Sequence, residues 1–241
     1  MLTLYQFPIS HFCEKARWAL DYKNLEHTKV NLLPGIHKAK MKKLAGKSQV
    51  PVLKHNDNVV QGSAKIIDYL DSVFTHKNLT PDEHELKRQA SEWENFADNK
   101  IGPQVRLVVY HIMLDYPQLV IPMFTQDGPF YGPFLMKKMF PTLQKKMREY
   151  MNIDASNAAK FNTELLKTTE DLANHYAKHQ FMVGDKFSRA DLSAAALLAP
   201  IVMPDNYGVS WPDEIPQRLL EFSSQFDGKL EWLKQFYTHY R

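Results

Sequence analysis

One cysteine is all the chain has: Cys13 stands alone among 241 residues. A lone thiol makes neither an internal disulfide nor a multi-cysteine zinc site, so neither framework holds this fold. Long apolar runs are missing too. The most apolar stretch, 192–203, is too short to cross a bilayer, and Pro200 is expected to break it. The opening residues Met-Leu-Thr-Leu-Tyr-Gln-Phe-Pro lack the basic flank and apolar core of a signal peptide. Charge of one sign is scarce: 30 basic against 27 acidic residues leaves +3 with histidines neutral. No like-charge tail accompanies that excess, so composition argues for no nucleic-acid and no membrane partner. There is no internal repeat and no low-complexity tract. What remains is ordinary: 44% hydrophobic and 24% charged, with length for one large domain or two modest ones. A cytoplasmic location is expected, the lone thiol fitting a reducing compartment.

The first third changes its hydrophobic period every ten residues or so. Leu2 and Leu4 alternate around Thr3 as in a short strand. Beyond Pro8, Ser10 sits where a helix cap belongs. Phe12, Ala16, Ala19 and Leu20 then recur at helical spacing, with Glu14, Lys15 and Asp21 expected to face away. Val30 and Leu32 suggest a second strand closed by Pro34-Gly35. Residues 50–53 and 58–61 read as a hairpin turned by Asn56-Asp57-Asn58. Ser63 opens another helix with the stripe Ile66, Ile67, Leu70 and Phe74. Thr80-Pro81-Asp82-Glu83 is a compact helix-start signal, so the domain boundary is placed near Lys77. The rest reads as helical: 85–114 bent at Gly102-Pro103, 161–178, 191–202 and two short helices after Pro216. Residues 116–135, rich in proline, glycine and aromatics, read as a long loop.

The segment Ser10-His11-Phe12-Cys13-Glu14-Lys15-Ala16-Arg17 carries the chemistry. A strand running into a helix puts the first polar residue at the positive end of the helix dipole. A hydroxyl there donates to an anionic sulfur, and the free backbone N–H groups add to the effect. A free thiol titrates near 8.5, and each unit of depression needs roughly 1.4 kcal/mol. A plain helix cap remains the alternative role for Ser10.

At these residues the chain resembles the cytosolic glutathione transferases. Leu4-Tyr5, Ser10-x-Phe12 and Arg17-Trp18-Ala19-Leu20 are similar to the serine-type classes (tau, theta and phi), whose serine at the start of helix 1 activates glutathione. Gln49-Val50-Pro51-Val52-Leu53 resembles the family's cis-proline turn, in which the Val50 backbone would pair with the cysteinyl part of glutathione. Gln61-Gly62-Ser63-Ala64-Lys65-Ile66-Ile67 matches the segment whose serine, here Ser63, holds the γ-glutamyl carboxylate. Gly35-Ile36-His37-Lys38 resembles the second-helix segment, where a basic residue receives the glycine carboxylate. Phe187-Ser188-Arg189-Ala190-Asp191-Leu192 resembles the capping box of a buried helix in the second domain, a matter of stability. The overall character is similar to bacterial chi-like proteins.

The resemblance implies a thioredoxin-like α/β domain over 1–76, a linker and helix start over 77–84, and an all-helical substrate domain over 85–241. It implies a homodimeric, detoxifying glutathione transferase with glutathione as co-substrate, a small apolar electrophile and no metal. Tyr110, His111 and Met113, with Phe124, Phe130, Tyr131 and Phe134, are the expected second-substrate pocket. Asp98 is expected to reach a neighbouring subunit's glutathione, as in some relatives. Departures matter. The family's usual acid before Ser63 is here Gly62, with Gln61 as the substitute. Tyr5 is one residue away from the tyrosine-type position, which is Gln6, and a one-residue offset in a strand reverses the face. Cys13 occupies the resolving position of a Cys-x-x-Cys whose first cysteine has become Ser10. It is either a partly acidified thiol at a helix start or an inert residue packed under the sheet. A glutathione-dependent thiol–disulfide reductase using Cys13 is therefore one alternative, and a non-catalytic binding module of the same fold another. Exposed Lys38, Lys40, Lys42, Lys43 and Lys47 read as a solvated face or a funnel for anions. His175 and His179 lack a third ligand, so they read as surface residues, and Arg17 as half of a structural ion pair.

Overall fold

Strand alternation near the start of the chain becomes a four-stranded sheet. The computed structural model describes residues 1–241. Strands β1 (Leu2–Gln6), β2 (His27–Asn31), β3 (Val52–His55) and β4 (Asn58–Gln61) line up in the order β2-β1-β3-β4. β1 runs parallel to β2 and antiparallel to β3, and β3 pairs antiparallel with β4. The period of two separates the faces. Leu2, Leu4 and Leu53 join the main core under α1 (His11–Tyr22) and α3 (Ser63–Val73), while Tyr5, Val30 and Val52 pack with Met41 of α2 (His37–Ala45). The arrangement is thioredoxin-like, and everything after α3 is helical.

Glu14 and Lys15 do not face away: both are fully buried. Their partners come from elsewhere in the chain. Lys15 Nζ lies 2.8 Å from Glu94 and 2.7 Å from Asp98. Glu14 receives Arg17 and Arg241, each at 2.7 Å. Burial alone would raise the Glu14 carboxyl, but these two guanidinium groups outweigh it and hold it below the usual range.

Thr80 does not cap a helix. α4 (His84–Phe96) starts four residues later, because the Thr80 N–H is taken by Asp71 at 2.9 Å and its hydroxyl accepts from Arg189 at 3.0 Å. The helix after it is irregular directly before Gly102-Pro103: a π-helical turn, Ala97–Ile101, joins α4 to α5 (Gly102–Met113), and Pro103 sits in the first turn of α5. The presumed loop at 116–135 holds α6 (Pro117–Thr125) and the start of α7 (Gly132–Tyr150). Pro117 and Pro133 open the two helices, Pro122 lies inside α6, and Pro129 falls between them. Leu119, Val120, Met123 and Phe124 form the buried stripe of α6, and Met136 and Phe140 that of α7.

α8 (Ala155–Tyr176) begins earlier than expected, capped by Asp154, which accepts the Asn157 N–H at 2.8 Å. α9 (Arg189–Val202) runs through Pro200, and is buried from Arg189 to Ile201. One lost hydrogen bond near a helix end is outweighed by that packing. The capping box of Ser188 and Asp191 is present. α10 (Gln217–Ser224) and α11 (Glu231–Tyr240) complete the chain, and no helix is long and apolar enough to cross a membrane.

Candidate active site

Register places the site. Tyr5 pairs with Val52, and Val52 with Gln61, while Gln6 pairs with Asn31. The residues after β1, after β2, before β3 and after β4 therefore emerge at one end of the sheet. That end gathers Ser10, His37, Val50-Pro51 and Ser63.

Ser10 caps α1 from an extended backbone, its Oγ accepting the Cys13 N–H at 3.3 Å. That bond uses a lone pair and leaves the hydroxyl proton for another acceptor. The loop before it is held from below. Arg17 Nη2 donates to Pro8 O at 2.9 Å, and the Tyr207 hydroxyl donates to Ile9 O at 2.9 Å. Arg17 also takes Gln6 Oε1 at 2.7 Å, so Gln6 is committed beneath the loop.

Val50-Pro51 is a cis peptide, and no backbone hydrogen bond occupies the N–H or C=O of Val50. Gly62 adopts φ +102° and donates its N–H to Pro51 O at 3.0 Å, joining the cis turn to the start of α3. A side chain is disfavoured at that φ, which gives a conformational reason for glycine at position 62. Gln61 Nε2 donates to Lys47 O at 2.9 Å and Gln49 O at 2.7 Å, so this amide braces the 47–49 turn. Ser63 is buried at the first position of α3, beside N–H groups with no intrahelical acceptor. His37 opens α2, its ring edge-on to Phe7 at 4.6 Å. Burial lowers its pKa, so the ring is neutral at pH 7 and the positive charge there comes from exposed Lys38.

Cys13 is fully buried, and burial pushes its thiol up against the opposing influence of Arg17 and Ser10. It stays protonated and out of reach. Arg17 forms the expected ion pair with Glu14. Asp98 accepts Lys15 Nζ at 2.7 and 2.8 Å, which makes it part of an internal link between α1 and the π turn.

Of the expected pocket residues, the structure brings Tyr110 to the Ser10 side. Its phenol is raised by burial, against the opposing charge of Arg106. His111 looks the other way, toward Arg218, Arg148, Asp115 and Asp154, and Met113 is buried in the core. Phe124 is buried too, whereas Phe130, Tyr131 and Phe134 are exposed. His175 and His179 stack at 4.8 Å, and His175 Nε2 contacts Phe181 O at 3.0 Å. No group of three histidine, cysteine or carboxylate side chains suits a metal. Sequence reasoning passed over His11, Arg106 and Tyr207. Nothing local marks them: Arg106 and Tyr207 are distant from Ser10 in sequence and come near it only through the fold, and His11 gains its neighbour Arg106 the same way.

Residues 4–84 match the family described as glutathione S-transferase, N-terminal domain. Among curated proteins the chain is similar to glutathione S-transferase L2, chloroplastic, of Arabidopsis thaliana, at 28% identity over 61% of this chain and 55% of that protein. It is also similar to glutathione S-transferase U19 of the same plant, at 39% identity over 25% of this chain and 28% of that one. The matches thus span about half and about a quarter of those relatives' lengths. Among solved structures, Ure2p5 from Phanerochaete chrysosporium, cocrystallised with 1-(S-glutathionyl)-2,4-dinitrobenzene, shares the fold. Its TM-score is 0.65 at 17% identity, covering 99% of this chain and 89% of that one.

Proposed function

We propose that the chain, whose residues 4–84 match the glutathione S-transferase N-terminal domain, is a glutathione transferase that joins the glutathione thiolate to an apolar electrophile, with Ser10 stabilising the thiolate. The observation that carries the reading is the Ser10 hydroxyl at the N-terminus of α1, its proton uncommitted, at the end of the sheet where Val50 and Ser63 also emerge. A helix N-terminus and one hydroxyl supply a unit or two of thiol depression, about 1.4–2.8 kcal/mol.

In this reading the Val50 backbone pairs with the cysteinyl unit, and Ser63 with the α3 amides takes the γ-glutamyl carboxylate. His37 and Lys38 meet the glycine end, with Gln49 and Gln61 shaping the turn beside it. The thiol proton leaves to solvent. The sulfur lone pair forms the new bond to carbon while the leaving group departs with its electron pair. Positioning and thiolate stabilisation supply the catalysis. The domains divide at 1–76 and 85–241 with a linker between, the location is cytoplasmic, and the assembly is a homodimer for which exposed Trp93 and Phe96 of α4 offer apolar contact surface. The burial of Cys13 favours transfer over disulfide exchange.

The test titrates bound glutathione and assays conjugation and disulfide exchange on wild type, Ser10→Ala and Cys13→Ser. Ser10→Ala is expected to raise the thiol pKa of bound glutathione and to lower conjugation. If both stay at wild-type values, Ser10 has no such role.

A further inference from the structure

Lys15, Arg17, Lys23, Arg189 and Arg241 are buried cations, and each is held by a carboxylate. Arg106 breaks the pattern. It is half-buried on α5, and its Nε is shut away from water without a hydrogen-bond partner. No ion pair of the chain includes it. Shutting a guanidinium N–H away from water without a partner is costly, and the fold gains nothing from it.

Its neighbours place it on the wall facing Ser10. Gly102, Arg106 and Tyr110 recur every fourth residue and so share one face of α5. That face meets the first turn of α1: a Cβ on Gly102 would lie 2.6 Å from Cζ of Phe12. The His11 ring, next to Ser10 in sequence, lies tilted against Phe12 with centroids 4.8 Å apart, and its Nε2 is also buried without a partner. The Arg106 charge bears on both the His11 ring and the Tyr110 phenol. An unpaired guanidinium and a protonated phenol offer hydrogens, with a neutral imidazole beside them, and none of the three brings negative charge. Together they suit an anion.

We propose that Arg106, with the Tyr110 hydroxyl, binds a carboxylate carried by the electrophile, so that the acceptor substrates are small apolar molecules bearing an acidic group. This rests on the transferase reading above. Both carboxylates of glutathione are assigned elsewhere, to Ser63 and to the start of α2. Arg106 takes no part in the bond changes. It orients the electrophilic carbon toward the sulfur and selects among substrates.

The kinetic test compares a chlorodinitrobenzoate with its methyl ester, which present the same chlorinated carbon with and without a charge. Arg106→Gln is expected to lower the acid-to-ester ratio of kcat/KM by about 10- to 100-fold, and Arg106→Lys to restore part of it. An unaltered ratio overturns the assignment. Because the charge it removes is unpaired, Arg106→Gln should unfold at or above the wild-type temperature, which keeps misfolding out of the comparison. Calorimetry then separates the two readings without turnover, using S-methylglutathione, S-benzylglutathione and S-(para-carboxybenzyl)glutathione. If S-methylglutathione does not bind, the transferase reading fails and this proposal falls with it. If it binds, and the carboxybenzyl compound is no tighter than the benzyl one, only the Arg106 assignment fails.

Discussion

Arg17 Nη2 donates to the carbonyl oxygen of Pro8 at 2.9 Å, joining the middle of α1 to the loop that presents Ser10. The same guanidinium neutralises buried Glu14 at 2.7 Å. Replacing Arg17 with methionine keeps the apolar volume but leaves Glu14 with Arg241 as its remaining guanidinium. Breaking a buried pair from one side costs about 3–5 kcal/mol. Arg17→Met is therefore expected to lose that much in urea unfolding and to bind glutathione more weakly through the loosened loop. A variant with wild-type stability would show that the pair is dispensable.

Gly208 lies against that guanidinium from the other side. A Cβ there would sit 2.0 Å from Nε of Arg17, while the Gly208 N–H donates to Glu14 Oε2 at 3.1 Å. Arg17 cannot swing aside, since Glu14, Gln6 and Pro8 all hold it. Gly208→Ala should cost about 1–3 kcal/mol, as overpacking does. Its melting temperature should fall, and the double variant with Arg17→Met should recover part of the loss.

His11 makes stability depend on pH. Burial first, and the Arg106 charge second, lower its pKa from 6.5 to about 3. A histidine depressed in the native state binds fewer protons folded than unfolded, so stability rises with pH between the two values. Acidification from pH 6.5 should then cost up to about 1.4 kcal/mol per pH unit from this one group. His37 and His111 shift in the same direction, and Glu14 adds to the loss below its ordinary 4.5. Asp98 and Asp191, raised mainly by burial, act in the opposite sense. The difference between wild type and His11→Asn isolates His11. Urea melts at pH 6.5 and 4.5 should show a shallower decline in the variant, and parallel declines would refute the assignment.

Cys13 should behave as a core residue. Fully buried and protonated, it is expected to react with a thiol reagent only as fast as the protein unfolds. Cys13→Ala should retain conjugation and change stability by about 1 kcal/mol. Rapid labelling of the folded protein would reopen the reductase reading.

The strand–helix third of the chain was legible because its signals are local. Alternation set β1, Asn56-Asp57 the hairpin turn, and Ser10 the cap of α1. The helices over 117–150 were hidden by Pro117, Pro122, Pro133 and Pro141, which read as loop residues until two of them are seen at first-turn positions and the others inside helices. Glu14 and Lys15 carry a surface composition on a buried face. Only Arg241, Glu94 and Asp98, brought in by tertiary structure, make that burial tolerable. At the site, Ser10, Val50 and Ser63 stand in motifs that a sequence displays. Arg106 stands in none, since what singles it out is the lack of a partner in three dimensions.

The bond from Arg241 to Glu14 spans 227 positions of the chain, and Trp18 Nε1 reaches Tyr240 O across 222. During synthesis α1 therefore exists long before the groups that neutralise and cover it. At ~5–20 residues per second the wait is roughly ten to fifty seconds. Through that interval a carboxylate and an indole destined for the interior stay exposed. The strand–helix third is thus made early and finished late, with α1 covered and neutralised only when α11 and Arg241 arrive.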